Sequence, residues 1–288
     1  VRIVSLLPSA TEICFALGAG DDVVGVTFEC DYPAAARSRR IVSTTALPEG
    51  LAPGEIDAAV RRKVATGEDL YHLDADALRE LEPDVVITQD LCAVCAIDVT
   101  DVDEALDYLG CRAEVVSTDP HNLTEVLHSI ETIGKAIGRD STQLVESLRQ
   151  RLRDLPGAAP RGGARLALLE WTDPPFAPGH WLPEMVQLAG GVNVLGAPGG
   201  RSKAITWEAV RQSQPEVVVS APCGFGLDGA AELTELLMGE LPADIPVWAV
   251  DANGYFARPG PRLVDGVEVL AAILRGEAPD PAIARRLR

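Results

Sequence analysis

Two thirteen-residue segments of this chain follow one pattern and narrow the folds open to it. Asp76 to Thr88 reads DALRELEPDVVIT, and Glu208 to Ser220 reads EAVRQSQPEVVVS. Each places an acid at the head of an amphipathic helix. A proline that cannot continue the helix follows, and then a short β-branched run suited to a buried strand. Pro83 and Pro215 stand 132 positions apart (215 − 83), and the same offset relates Val115 to Val247 and Asp119 to Asp251 in AEVVSTD and IPVWAVD. Matches at a single offset indicate duplicated α/β architecture. Strand-like runs at 2–7, 23–27, 84–88, 114–117, 165–170, 216–220 and 246–250 mostly alternate with helical patterns, which favours parallel sheets. In the first unit, Ser9-Ala10-Thr11-Glu12 reads as a capping box, with Gly18 ending the helix.

A chain of 288 residues with 47% hydrophobic content supports two cores. The expected division is an N-terminal α/β lobe over 1–121, a connecting helix over 122–155 and a C-terminal α/β lobe over 156–288. In the connecting stretch, Leu123, Val126, Leu127, Ile130, Ile133 and Ile137 keep a helical stripe, which Leu144, Val145, Leu148 and Leu152 resume after Gly138. Read as continuous, it would be a strut of roughly 50 Å. LPGAAPRGGA then breaks the pattern, and Pro53-Gly54 is placed to open a further helix over Glu55–Val64.

Charge excludes some partners. Against 43 acidic residues stand 25 basic ones, a net −18 with no basic run, so nucleic acid and anionic membrane surfaces are poor partners. No apolar run reaches the ~20 residues of a membrane span. The opening VRIVSLL carries no signal-peptide features, so a cytoplasmic location is expected, or a periplasmic or cell-surface one if a signal was removed. Six cysteines are too sparse for a disulfide framework in a chain of this length, and a monomer is expected.

In open α/β sheets ligands gather outside the carboxyl ends of the strands. The loops there would be 28–31, 43–45, 89–95, 171–181, 221–226 and 253–262. They hold Phe28, Glu29, Cys30, Thr45, Gln89, Asp90, Cys92 and Cys95 in the first half, and Trp171, Phe176, His180, Trp181, Cys223, Phe225, Tyr255, Phe256 and Arg258 in the second. The second half is furnished for a large flat ligand, whereas the first is polar and sulfur-containing. Pro174, Pro175 and Pro178 restrict the loop that carries Phe176, and Pro183 suits the first turn of a helix ending near Gly190-Gly191.

These segments together resemble the class III substrate-binding proteins of bacterial ABC importers, above all their cobalamin-binding members. The motifs that carry the resemblance are RIVSLLPSATEICFALGAGDDVVGVTFECDYP, the two helix-Pro-(D/E)-VV units, the strut, DPPF with LAGGVN, and YFARPGPRLV. The resemblance implies two Rossmann-like lobes with parallel central sheets, joined by one long backbone helix, with a ligand between the lobes. It implies binding, without catalysis, of a corrinoid such as cobalamin, with haem or a siderophore as alternative cargo. It also implies docking on an ABC permease through one carboxylate per lobe, at Asp76 and Glu208. Phe176 matches a cleft aromatic of that family, whereas Thr45, Gln89 and Glu29 stand where aromatics are expected.

His180 would then be an axial ligand to cobalt or iron, or a loop histidine that hydrogen-bonds backbone or ligand. His72, His121 and His128 read as surface or capping residues. Arg258 and Arg262 suit a ligand carboxylate or phosphate, or bracing of their own loop. The competing reading is a thiol- or metal-dependent enzyme using Cys30, Cys92, Cys95 or Cys223. The fingerprints GxxxxGK[ST], HExxH and GxSxG are absent, and Asp90, Asp98 and Asp101 define no acid/base pair.

Overall fold

The computed structural model describes residues 1–89, 113–155 and 162–288. Asp90, Cys92, Cys95, Asp98 and Asp101 fall outside the described residues. The chain gathers into two compact units, Val1–Asp119 with Glu125–Glu146, and Pro120–Thr124 with Ser147–Arg288.

The first unit runs β1 (Ile3–Ser5), α1 (Pro8–Ala16), β2 (Val23–Thr27), β3 (Arg40–Thr45), α2 (Pro53–Thr66), β4 (Tyr71–Leu73), α3 (Ala75–Leu81), β5 (Val85–Thr88) and β6 (Glu114–Ser117). Its sheet has the order β4-β3-β2-β1-β5-β6 and is parallel except at the β3–β4 edge. Val4, Leu6, Val42, Ala77, Leu78 and Val86 form a core between sheet and helix.

Two helices follow, α4 (Leu123–Ala136) and α5 (Thr142–Arg153). The second unit continues with β7 (Arg165–Leu169), β8 (Trp171–Thr172), β9 (Pro175–Ala177), α6 (Leu182–Leu188), β10 (Val192–Asn193), β11 (Lys203–Ala204), α7 (Trp207–Gln212) and β12 (Val217–Ser220). It ends with α8 (Leu227–Leu236), β13 (Val247–Val250), α9 (Ala252–Tyr255), α10 (Leu263–Arg275) and β14 (Ala284–Arg286). The main sheet has the order β10-β7-β12-β13-β14, antiparallel only at β14, and β11-β9-β8 form a small antiparallel sheet beside it. All seven strands expected from the sequence are present, and β2-β1-β5-β6 has its counterpart in β10-β7-β12-β13.

The duplication reaches down to single hydrogen bonds. Asp74 and Thr206 cap α3 and α7, accepting from the backbone N–H of Ala77 at 2.9 Å and of Ala209 at 3.1 Å. Both helices are left through a non-glycine residue in the left-handed region, Glu82 at φ 42° and Gln214 at φ 46°. These pairs keep the offset of 132. An arginine then ties each helix end to the first strand of its sheet. Arg2 donates Nε to the Leu81 carbonyl at 2.6 Å, while its N–H reaches Asp84 Oδ2 at 2.7 Å. Arg165 donates to the carbonyls of Gln214 and Ser213 at 2.9 and 2.5 Å, and its N–H reaches Glu216 Oε2 at 2.8 Å. Each guanidinium satisfies carbonyls that a helix end leaves open.

Two sequence expectations are corrected. The helix at 8–16 begins on Pro8 after Leu7, with no side-chain cap, so Ser9 and Glu12 lie buried within it and form no capping box; Pro8 supplies the fixed φ that starts a helix. The 122–155 stretch is not one continuous helix. Gly138 adopts φ 67°, Arg139 N–H bonds to the Gly134 carbonyl at 2.7 Å and Gly138 N–H to that of Lys135 at 3.2 Å, a Schellman closure of α4. Asp140 Oδ1 then accepts from Thr142 N–H at 2.9 Å as α5 begins. At the far end of α5, Arg151 grips Glu268 with both nitrogens, at 2.9 and 2.7 Å, and also reaches Asp265 on α10. These contacts hold its guanidinium above its ordinary pKa.

Replacement of Arg165 by alanine is expected to lower stability by about 1–2 kcal/mol in denaturant unfolding. Arg37→Ala, which removes only an exposed 3.8 Å pair with Asp31, should stay within about 0.5 kcal/mol.

Candidate functional site

The residues between β7 and α6, expected as a loop, form a hairpin. Pro175 in β9 needs no N–H of its own there, and its carbonyl accepts from Ile205 N–H at 2.8 Å, so the strand pairs on both sides. Side chains alternate along it. Thr172, Pro175 and Ala177 are buried, with Ala177 in the core cluster of Leu169, Leu195, Val210 and Val218, while Trp171 and Phe176 are half-exposed. Trp171 lies directly opposite Phe176, and Phe176 opposite Ala204, so the three share one face across three strands. Phe225 packs against Trp171 with ring centroids 5.9 Å apart and planes at 54°. The Trp171 indole Nε1 donates to the Asp173 carbonyl at 3.0 Å, which fixes the ring.

Beyond Ala177 the chain turns through Gly179, where a Cβ would stand 2.2 Å from Ser202 N, so only glycine fits. Its N–H donates to Glu170 Oε2 at 3.0 Å. His180 sits at φ 51°, held by its N–H to the Gly200 carbonyl at 2.6 Å and by Gly199 N–H to its own carbonyl at 2.9 Å. Its half-buried ring lies 6.2 Å from that of His121 and 5.7 Å from that of Trp181. His121 is brought there because Glu184 on α6 accepts the N–H of Leu123 at 2.9 Å.

The other expected site residues divide by burial. Trp181 and Phe256 are interior braces, joined by the indole N–H donating to the Phe256 carbonyl at 2.8 Å, and Arg258 is also buried. Tyr255 is half-buried under the Arg262 guanidinium, 5.0 Å from the ring centroid, and burial raises its pKa although Arg262 opposes the shift. It borders a cavity of about 380 Å³ with Asp265, Glu268 and Ile283, apart from the aromatic face. Cys223 is exposed, at the turn where its N–H meets the Glu170 carbonyl.

In the first unit, Phe28 is exposed, Glu29 and Thr45 are half-exposed, and Gln89 is buried. Cys30 is buried with its sulfur 3.0 Å from Thr11 Oγ1, and burial beside Cys30 and Asp22 pushes Cys14 up to about 12. Among the described residues no three His, Cys, Asp or Glu side chains converge as a metal site would require. Asp76 and Glu208 each stand in the first turn of a repeated helix, 81% and 61% exposed, paired with Arg79 at 3.1 Å and Arg211 at 3.3 Å. Sequence reasoning missed His121, Ala204 and Arg201, which meet this region only through long-range pairing.

Two parallel-dominated sheets in a repeated α/β scaffold are the architecture of the class III periplasmic binding proteins. The chain belongs to the periplasmic binding protein family, whose profile matches residues 3–238, and it binds its ligand as a substrate-binding protein. It is 28% identical over 289 residues to the ABC transporter substrate-binding lipoprotein YvrC of Bacillus subtilis, covering 94% of this chain and 78% of that one. It is 25% identical over 279 residues to a vitamin B12-binding protein of Vibrio cholerae, covering 95% and 89%. A periplasmic heme binding protein from Pseudomonas aeruginosa shares the fold at TM-score 0.70 and 20% identity, over 100% of this chain and 95% of that one. No helix among the described residues is long and apolar enough to cross a membrane.

Burial, together with His121 and Arg201, lowers the His180 pKa, so its imidazole is neutral at neutral pH. The unfolded chain takes up that proton near ~6.5, so the stability tied to the neutral ring is complete above this value and declines as pH falls below it. Between about pH 7.5 and about pH 5.5 the native chain should therefore lose more stability than His180→Asn, a residue that tolerates the same backbone region. Equal losses in the two proteins, followed by thermal unfolding, would contradict this.

Proposed function

We propose that this chain is the binding component of an ABC importer and that its cargo is a corrinoid of the cobalamin kind, held without catalysis. The face of Trp171, Phe176 and Ala204, backed by Phe225, carries the reading. A rigid, half-exposed aromatic row suits a flat macrocycle, and a hairpin already ordered before binding loses little entropy when it is covered. Family membership and the vitamin B12-binding relative support the same cargo. Haem and other metal chelates are the alternative, and the relative described as a lipoprotein favours an exported setting over the cytoplasmic expectation.

Titration with cobalamin, cobinamide and haemin, followed by visible spectroscopy and calorimetry, tests the proposal. Micromolar or tighter binding of a corrinoid is expected, weakened about tenfold or more by Phe176→Ala with no change in thermal midpoint. Absence of binding by either corrinoid would sink the corrinoid reading, and haemin binding alone would move the cargo to haem.

Asp76 and Glu208 are proposed as the two contacts with the permease. They are exposed, equivalent under the repeat, and engaged only within their own surfaces. Charge reversal of both (Asp76→Arg with Glu208→Arg) should abolish transport by the cognate importer while leaving ligand affinity within a factor of two. Transport that survives the double reversal would exclude them.

A further inference from the structure

The pairing of β9 with β11 does not stop at the last strand residues. Phe176 faces Ala204, Ala177 faces Lys203, and the His180 N–H still reaches the Gly200 carbonyl, so His180 and Arg201 stand together at one end of the aromatic row. The His180 ring lies 6.2 Å from that of His121, and the Arg201 charge acts on the same ring.

Arg201 is exposed and forms no ion pair or hydrogen bond among the described residues, in a chain where 43 acids surround 25 bases. The nearby carboxylates are engaged by backbone, Glu170 by the N–H of Gly179 and Glu184 by the N–H of Leu123. A bare divalent cation is a poor occupant for the histidine pair, because the Arg201 charge already acts on His180. An anion is the better one. A guanidinium takes a carboxylate through two parallel N–H···O bonds, and the neutral imidazole of His180 has a ring N–H to offer beside it.

We infer that Arg201 and His180 form a subsite for a carboxylate on the rim of the macrocycle, and that this subsite selects acid-bearing ligands over their amidated or esterified counterparts. This rests on the macrocycle reading above and deepens it. A carboxylate on the edge of a ring lying over Trp171 and Phe176 reaches the end of the row where Arg201 stands. The long-range repulsion of a −18 chain works against polyanions, so a ligand with one or two carboxylates fits better than one with many.

The test compares matched ligands by calorimetry: cobyric acid against cobinamide, and haemin against its dimethyl ester. The acid member of at least one pair should bind about tenfold more tightly, and Arg201→Gln should remove that preference while leaving the neutral member unchanged. His180→Asn should reduce the preference in the same pair. Circular dichroism checks that both variants are folded, and Arg201, exposed on its loop, is not needed for packing. Equal affinity within both pairs, or an Arg201→Gln variant that weakens acid and neutral ligands alike, overturns the subsite and leaves the macrocycle reading standing. Failure of all four compounds to bind the native chain overturns both.

Discussion

A parallel strand covered on both faces has no side from which a polar side chain can reach water. In this chain Val85, Val86 and Ile87 of β5, Leu166 to Leu169 of β7, and Val218 and Val219 of β12 are all buried. Polar chemistry is therefore forced to the strand ends, and the two ends differ. At the amino ends, Arg2 and Arg165 tie off the preceding helix carbonyls and the acid that follows the proline, which serves stability. At the carboxyl ends, the last residues of β1, β2, β5 and β12 are Ser5, Thr27, Thr88 and Ser220, all buried hydroxyls. They mark the step from the hydrocarbon interior to the carboxyl-end loops, where Phe28, Gln89 and Cys223 follow within a few positions.

The stiffness of DPPFAPGHW follows from that placement. A loop that must present large aromatics to a ligand loses affinity through every rotamer and backbone state it gives up on binding. Prolines remove backbone states from the unfolded chain as well, and the small sheet β11-β9-β8 fixes what they leave. The alternation of buried Thr172, Pro175 and Ala177 with half-exposed Trp171 and Phe176 turns a short hairpin into a two-sided element, one side joined to the core and the other left half-exposed for the proposed ligand. Trp181 belongs to the same stretch yet serves the interior, because its indole N–H finds a buried carbonyl at Phe256.

Signals that depend on neighbours in sequence were legible, and signals that depend on long-range pairing were not. The helix-Pro-strand units, the acids Asp76 and Glu208, and the closure at Gly18 all follow from side-chain chemistry within a few residues, and the structure keeps them. The break after α4 was half visible, since Gly138 interrupts a stripe, but the periodicity on either side hid the Schellman closure. His121 looked like a surface residue because nothing local connects it to His180, 59 positions away; the link is the Glu184 carboxylate capping the start of α4. Arg201 and Ala204 lie in a glycine-rich run without periodicity, and only long-range contacts bring them beside the hairpin, the β9–β11 pairing for Ala204 and the His180–Gly200 hydrogen bond next to Arg201.

What the duplication keeps also separates scaffold from function. Caps at Asp74 and Thr206 and the left-handed exits at Glu82 and Gln214 are needed wherever this helix-to-strand turn is built, so their recurrence is an architectural demand. The carboxyl-end loops share no such pattern: Gln89 answers to Ala221, and among the described residues the first unit has no counterpart of the aromatic hairpin. The exposed pairs Asp76–Arg79 and Glu208–Arg211 belong to neither group. A first-turn acid gains only about 0.3–1 kcal/mol from the helix dipole, and an exposed i,i+3 ion pair adds less, so packing makes little demand for both at the same offset. Two halves that have diverged wherever they meet different surroundings have kept one exposed charge pattern in common. The permease contact proposed for Asp76 and Glu208 would account for that pattern more economically than helix stability does.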